Sequence, residues 1–572
     1  MPTITIDGIT HEFEGKQRLL QFCLDHGIEV PHFCYHPAMS VPANCRQCLV
    51  EVGMTEVDRE TRQPKLDEDG KPIVRFMPKL QTSCSQEAAD GMVVRTHRSS
   101  DLVARAQKDT LEFLLINHPL DCPICDQAGH CPLQIQAYKY GPEGSRFEFE
   151  KTHKPKQIEL GPRVMLDGER CINCTRCVRF TDEISKSHQL TIIERGVRNY
   201  PMTPPGTTFD EPYSMNVIDI CPVGALTSVD FRFKARIWEM SKTASITTSN
   251  AKGSNCWYWV KDNWIMKVSP RDNEQVNGYW LPDEDRQGYE QFNEGRLSGP
   301  VVASKTASWD AAYDAAASVL GSVPGESILF VGSALATVED NWLLTQLAAH
   351  LGAAAPVYVP HVEKGHGDGW LRTDDRTPNA RGVEALGLRP IDGASVQARL
   401  AAGAIQAVYV LEDDLVASGI CSESDLASVK VIVHAYHSAN RTLGAAQVGI
   451  PAAMVVETIG TFVNEDGHAQ RVKPAKAIRG VNRTLMMEVG KSRQDLHGTP
   501  FDRWFNEGNL VDCQPGWVSL PAVAKRCGLE FSFTGPKEIL AEIARTVEVF
   551  DGVTYEAMGD GGVRLQEITQ TA

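Results

Sequence analysis

The chain has 572 residues, 23% of them charged, with a formal net charge of -16 at pH 7. That length accommodates several domains with cores of their own and is too long for a simple ferredoxin, while the acidic balance speaks against a nucleic-acid partner, which would need a basic face. No run approaches about 18 apolar residues, and the start, "MPTITIDGITHEFEG", has neither the basic nor the apolar region of a leader peptide, so the expectation is a cytoplasmic chain without a membrane span of its own.

In chain order, "TITIDG" and "HEFEG" alternate as two strands of a hairpin, and "KQRLLQFCLDHG" sets Leu19, Leu20, Cys23 and Leu24 at helical spacing. Strand, strand, helix is the opening of a β-grasp, with Cys23 on the apolar face of its helix and therefore core. "NCRQCLVEVGM" and "KPIVRFMPKLQTSC" supply further strands, and the acidic "TEVDRETRQPKLDEDG" between them reads as an exposed insertion. A helix from about Ser99 to Ile116 leads into "HPLDCPICDQAGHCPLQ". Residues 160–240 form a second compact α+β unit with the loop "YPMTPPGTTFDEPY" inside it. From residue 243 the pattern changes to the alternation of "NCWYWVKDNWIMKVS", where Trp257, Trp259 and Trp264 fit a β-rich core rather than a base-stacking platform, which would want basic neighbours. Beyond residue 300, apolar helices alternate with the strands "ESILFVGS", "AAAPVYVP", "QAVYVLEDD" and "VKVIVHA", which predicts a parallel α/β region. The tail beyond about 490 carries no clear pattern.

Twelve of the sixteen cysteines lie between Cys23 and Cys221. In a reducing compartment such clustering points to metal ligation rather than disulfides. Cys34, Cys45, Cys48 and Cys84, at C-x10-C-x2-C-x35-C, suit a [2Fe-2S] cluster held by one long loop and a distant strand end; structural zinc is the plainer reading of the same thiols. Cys171, Cys174 and Cys177 stand at C-x2-C-x2-C, and Cys221 precedes Pro222. Three thiolates on one tight turn with a remote Cys-Pro are the donor set of a [4Fe-4S] cube. Between these sets, Cys122, Cys125 and Cys131 stand at C-x2-C-x5-C and lack a fourth cysteine. Imidazole can replace thiolate on iron, so His118 or His130 can complete the site. His118 is the better placed, because Pro119 favours an extended turn back toward Cys122, whereas His130 would share a very short arc with Cys131.

"PHFCYHP", "NCRQCLVEV", "LEFLLINHPLDCPICDQAGHCPLQ", "ERCINCTRCVRFTDE" and "ICPVGAL" together resemble the large iron-sulfur subunit family of NADH-quinone oxidoreductase (respiratory complex I), densely from residue 3 to 240. The resemblance implies one [2Fe-2S] and two [4Fe-4S] clusters, with the middle cube held by one histidine and three cysteines at the positions of His118, Cys122, Cys125 and Cys131. It implies an electron-transfer subunit between a flavin- and NADH-binding partner and quinone-proximal iron-sulfur partners, with the Cys171 cube ahead of the His118 cube. It also implies a peripheral place on the cytoplasmic side of the inner membrane. "SWDAAYDAAASVL" and "ETIGTFVNEDGHAQRV" are similar, more weakly, to pieces of a molybdopterin-oxidoreductase domain, here shortened. The expected fold is thus α+β followed by α/β, in four domains. They are a [2Fe-2S] ferredoxin-like β-grasp (1–97), a [4Fe-4S] segment with one histidine and three cysteines (98–140), a ferredoxin-like [4Fe-4S] domain with four cysteines (141–242) and an α/β molybdopterin-oxidoreductase-like domain without its cofactor (243–572). Some family members bind an extra cube just after the second four-iron domain; Cys256 stands alone there, so no such cluster is expected.

"GHGDG" at 365–369 follows a strand ending in proline and lacks the G-x-G-x-x-G spacing, so it reads as a loop. With no other dinucleotide fingerprint or P-loop, no FMN or NADH is expected on this chain. Cys421, Cys513 and Cys527 read as isolated buried thiols. The rival functions are an iron-sulfur accessory subunit of a soluble NAD-linked hydrogenase or formate dehydrogenase, and a zinc-bound structural protein.

Overall fold

The computed structural model of the protein describes residues 1–58, 60, 65–70, 72–435, 440–480, 488–490 and 507–566, and the chain falls into two compact units, Met1–Ile237 and Trp238–Ala572. Residues 59 and 61–64 of the acidic insertion, and most of the tail just after 490, lie outside the described residues.

The first unit opens with the β-grasp. Strands β1 (Thr3–Ile6) and β2 (Ile9–Glu12) form the hairpin, and helix α1 (Leu19–Asp25) follows. Then come β3 (Leu49–Thr55), β4 (Val74–Phe76), β5 (Gln81–Thr82) and β6 (Met92–Arg95). The sheet order is β2-β1-β6-β3-β4, with β5 on β3. β1 runs parallel to β6, and every other pairing is antiparallel. Alternation decides the buried face: Ile4, Ile6, Val50, Val52, Met92 and Val94 point at Leu19, Leu20, Phe22 and Cys23 of α1. β6, the middle strand of the sheet, is not among those read from the sequence, because four residues after Gly91 are too short to show a period.

Helix α2 (Asp101–Leu115) begins where the Ser100 hydroxyl accepts the Val103 amide proton, and α3 (Pro132–Tyr140) begins immediately after Cys131 with proline in its first turn. The ferredoxin-like part that follows is small. β7 (Ile158–Glu159), β8 (Val164–Leu166) and a later strand, Leu226–Ser228, form one sheet, while Thr191–Ile193 pairs with Tyr200–Met202. Helix α4 (Arg176–Arg179) runs into a π-helical turn, Phe180–Ile184, and a short helix, α5 (Asn216–Ile220), delivers Cys221 at its end.

In the second unit, strands Ser241–Ile246, Asn255–Lys261 and Trp264–Pro270 form an antiparallel sheet; its three tryptophans are half-buried rather than core as expected, and they do have basic neighbours, Lys242 Nζ lying 4.3 Å from the Trp257 ring centroid and Lys267 Nζ 5.0 Å from that of Trp259. An eight-stranded sheet follows. Ile328–Gly332, Val357–Tyr358, Ala407–Leu411 and Lys430–Ala435, the four strands expected, are all parallel members of it. Apolar clusters cover both faces of this sheet, which is why the strands read as unbroken apolar runs. "GHGDG" is a loop, as expected.

Candidate metal centres

The twelve ligand positions read from the sequence all fall in the first unit. The loop before β3 carries Cys34, Cys45 and Cys48, and Cys84 arrives from the turn after β5; all four are buried. They approach one another as two pairs. Cys34 shares a hydrogen bond with Cys45, and Cys48 with Cys84. In each pair the shared proton holds one thiol below its ordinary pKa, Cys45 and Cys48, and pushes its partner above it, Cys34 and Cys84. Two sulfur pairs are the donor arrangement that two bridged irons require.

Cys171, Cys174, Cys177 and Cys221 line one cavity, whose remaining wall is largely apolar: Ile192, Pro201, Val223, Ala225 and Leu226. Burial pushes Cys171, Cys174 and Cys221 up to about 11. Thiols so desolvated ionise when a cation takes the proton's place. Cys122, exposed, and Cys125 and Cys131, both buried, lie near enough to influence one another's charge, but among the described residues no group of three or more donors is gathered closely enough to hold a metal ion as placed. His118 sits beside the Arg170 guanidinium that also faces Cys125. Burial first, then the Arg170 and Lys151 charges, hold its pKa down at about 4, so the ring is neutral as a metal requires. Its Nδ1 is buried without a hydrogen-bond partner among the described residues, an observation that does not by itself set it apart from His130.

A regularity that the spacing of cysteines does not reveal runs through all three sets. The backbone amide two residues beyond the cysteine faces its sulfur and favours the thiolate at Cys45, Cys125, Cys131, Cys171, Cys174 and Cys221, from Gln47, Gln127, Leu133, Asn173, Arg176 and Val223. The Asn173 amide is 3.4 Å from Cys171 Sγ. Left-handed residues bend these loops: Ala43 and Arg46 in the first, Asn173 and Thr175 in the third, Gly129 in the middle one.

The donor loops touch one another. Arg179 donates to the Cys34 and Ser40 carbonyls, Arg176 to Tyr35 O and Ile220 O, and Asn44 to Asn173 O, which seats the first loop on α4. On the other side, the stretch after Cys221 packs on the His118 set. Cys131 Sγ lies 3.7 Å from Pro222 O, and Gly224 lies so close to Cys125 that a Cβ there would stand 2.1 Å from its sulfur. Arg170, buried, spans this seam to Asp121 at 2.9 Å and Asp167 at 3.3 Å.

Of the other cysteines, Cys23 is fully buried in the β-grasp core, its thiol pushed up to about 12 by burial. Cys513 is buried but not isolated: its thiol donates to Glu457, which also takes a bidentate bond from Arg296 at 2.6 and 2.7 Å. Cys527 is only partly buried, and Cys256 is buried in its strand beside Tyr258 and Arg271. The second unit holds a cleft of about 960 Å³ whose lining includes Glu284, Asp285, Glu363, Glu412, Asp413 and Asp414 against one arginine, Arg376.

Four family models match parts of the chain. They are a 2Fe-2S iron-sulfur cluster binding domain over residues 1–99, an NADH-ubiquinone oxidoreductase-G iron-sulfur binding region over 107–146, an NADH-quinone oxidoreductase subunit 3 ferredoxin-like domain over 161–227, and an NADH-ubiquinone oxidoreductase NDSU1/NuoG-like 4Fe-4S domain over 240–290. Within this last span Cys256 is the one cysteine. Among similar proteins, the G subunit of NADH-quinone oxidoreductase from Rickettsia bellii is 38% identical over 356 residues, 62% of this chain and 49% of that one. The 75 kDa subunit of NADH-ubiquinone oxidoreductase from Reclinomonas americana is 38% identical over 360 residues, 62% and 48%. Subunit 3 of the Thermus thermophilus NADH-quinone oxidoreductase is 37% identical over 356 residues, 59% and 44%. The chain spans about half the length of these relatives. A solved chain of an NAD+-reducing [NiFe]-hydrogenase is 27% identical and covers 41% of this chain and 91% of its own, but with a TM-score of 0.33 it carries no argument. Over 62% of its length this chain is similar to the G subunit of NADH-quinone oxidoreductase.

Proposed function

We propose that this chain is an electron-transfer subunit of NADH-quinone oxidoreductase, passing electrons from a partner that binds NADH and FMN toward quinone. In this reading Cys34, Cys45, Cys48 and Cys84 hold a [2Fe-2S] cluster, while His118, Cys122, Cys125 and Cys131 hold one [4Fe-4S] cluster and Cys171, Cys174, Cys177 and Cys221 a second. The clusters supply one-electron redox chemistry when bound. The chain's own residues bury the sulfurs, aim amide protons at them and exclude water, the levers that set a cluster's potential. Neither FMN nor molybdopterin belongs to this chain. The domains follow the boundaries 1–97, 98–140, 141–242 and 243–572, and the last is a shortened, cofactor-free molybdopterin-oxidoreductase-like domain.

The observation that carries the reading is the contact of the three donor loops, the Cys34 set against the Cys171 set and the Cys171 set against the His118 set. This order of contacts supports placing the Cys171 cube between the other two in the path of the electrons. Among the described residues no helix is long and apolar enough to cross a membrane; we place the chain peripherally, on the cytoplasmic face of the inner membrane, held by other subunits of the complex. Low-temperature EPR of the reduced, anaerobically prepared chain, with elemental analysis, tests the proposal. One binuclear and two cubane signals are expected. A colourless preparation holding zinc and no iron, or a chain with iron for two clusters only, refutes it.

A further inference from the structure

Two guanidinium groups stand where the first donor loop meets α4. Arg176 donates to Ile220 O at 3.0 Å and to Tyr35 O, and its Nε is buried without a partner among the described residues. Arg179, 8% exposed, donates to Ser40 O at 2.6 Å, to Cys34 O and to Thr175 Oγ1. Every one of these acceptors is neutral, and among the described residues neither arginine has an ion pair with a carboxylate. Arg170, a few residues away, is bound by Asp121 and Asp167. Two like charges, close enough to disfavour one another and withdrawn from water, are costly unless an anion compensates them. In the cluster-loaded chain the sulfurs would do so: Arg176 faces Cys174, Cys221 and Cys34, and Arg179 faces Cys174, while the Glu183 carboxylate is held by the amide and hydroxyl of Ser40.

We propose that Arg176 and Arg179 are positioning residues that act as a shared counter-cation for two clusters, raising the reduction potentials of the Cys34 and Cys171 sites together. The inference rests on the cluster assignment above. A cation stabilises the reduced, more negative state of any cluster it faces, and one placed between two clusters acts on both. Arg170, whose charge is balanced by two carboxylates, cannot substitute for them. The seam therefore couples the binuclear site to its neighbouring cube by charge and leaves the His118 site, on the far side of the Cys221 loop, outside its reach.

Redox titration of the cluster-loaded full chain, followed by EPR, tests this with Arg176→Gln, Arg179→Gln and the matching lysine variants. Each glutamine variant should shift the midpoint potentials of the binuclear signal and of the Cys171 cube to lower values together, with the third signal unmoved. Each lysine variant should restore most of the shift. Unchanged potentials in both glutamine variants overturn the proposal, as does a shift in one cluster alone, or a loss of clusters that lysine fails to restore, which marks the pair as structural clamps. Should one glutamine variant fail to assemble, the other carries the test. A wild-type chain without iron signals removes the cluster assignment itself, an outcome distinct from wild-type signals that the variants do not move.

Discussion

Replacing Gly224 by alanine places a methyl group 2.1 Å from Cys125 Sγ and 3.2 Å from Gln127 Cβ. Ordinary contact between such atoms needs about 3.5–4 Å, so the sulfur and the new carbon overlap by roughly 1.5 Å. The overlap has no easy relief. Cys125 is buried and receives the Gln127 amide, the Gly224 carbonyl takes a bond from the buried Arg170 at 3.5 Å, and Pro222 O holds Cys131 at 3.7 Å. Overpacking of this kind costs about 1–3 kcal/mol of stability, too little to unfold the chain, but it displaces a donor sulfur by more than half its bond length to iron, about 2.3 Å by analogy with zinc thiolates. Gly224→Ala should therefore lose one cubane EPR signal and one four-iron cluster's share of iron, while the binuclear signal remains. Gly144→Ala, where a Cβ meets nothing within 4 Å, is the control. Full iron and an unaltered spectrum in Gly224→Ala would mean that Cys125 does not need the place given to it, and the packing of the Cys221 loop on the His118 site would fall with it.

His118→Ala should remove that same cubane signal and His130→Ala should keep it; the reverse result exchanges the ligand. Arg296→Met leaves Glu457, fully buried, without its bidentate partner, and should destabilise the second unit by about 3–5 kcal/mol in urea titrations, a loss that a simultaneous Glu457→Leu change should largely reverse. Asp340 is 2% exposed, and burial pushes its carboxyl up to about 7 from 3.8. A raised carboxyl gives stability that is present below its unfolded pKa and lost as pH climbs through the folded one. The second unit should thus lose roughly 4 kcal/mol between about pH 4 and pH 8 from this group, and Asp340→Asn should abolish that part of the slope. An unchanged slope in the variant would assign it elsewhere.

The β-grasp hairpin, its helix, α2 and the four parallel strands of the second unit were legible because each shows its own period or an apolar run bounded by turns. β6 was not, since Met92–Arg95 has meaning only as the partner of β1 and β3. Helices Gly516–Arg526 and Pro536–Thr546 lie in the tail that had no clear pattern. The first carries Pro521 in its interior, which reads as a breaker in isolation and is tolerated against the packed core. The isolation expected of Cys513 failed for a related reason: its partners Arg296 and Glu457 are more than fifty residues away in the chain, and only the fold brings them together.

Candidate ligands can be read from spacing, but what the protein does to its sulfurs cannot. Three sets with three different spacings, C-x10-C-x2-C, C-x2-C-x5-C and C-x2-C-x2-C, receive the same local treatment, an amide facing the sulfur from two residues beyond the cysteine. That amide is a backbone group, so its side chain is free to vary: Gln47, Gln127, Leu133, Asn173, Arg176 and Val223 share no chemistry. A sequence pattern built on side chains cannot register such a rule, and a left-handed residue such as Asn173 or Thr175 is its one outward mark. Because such an amide favours the anionic sulfur at all three sites, it does not by itself set one site apart from another, and other groups can. In the proposed assignment those are the imidazole of His118 in place of a fourth thiolate, and the unequal company of arginines, which face only neutral oxygens and sulfurs at the first and third sets and are balanced by Asp121 and Asp167 at the middle one.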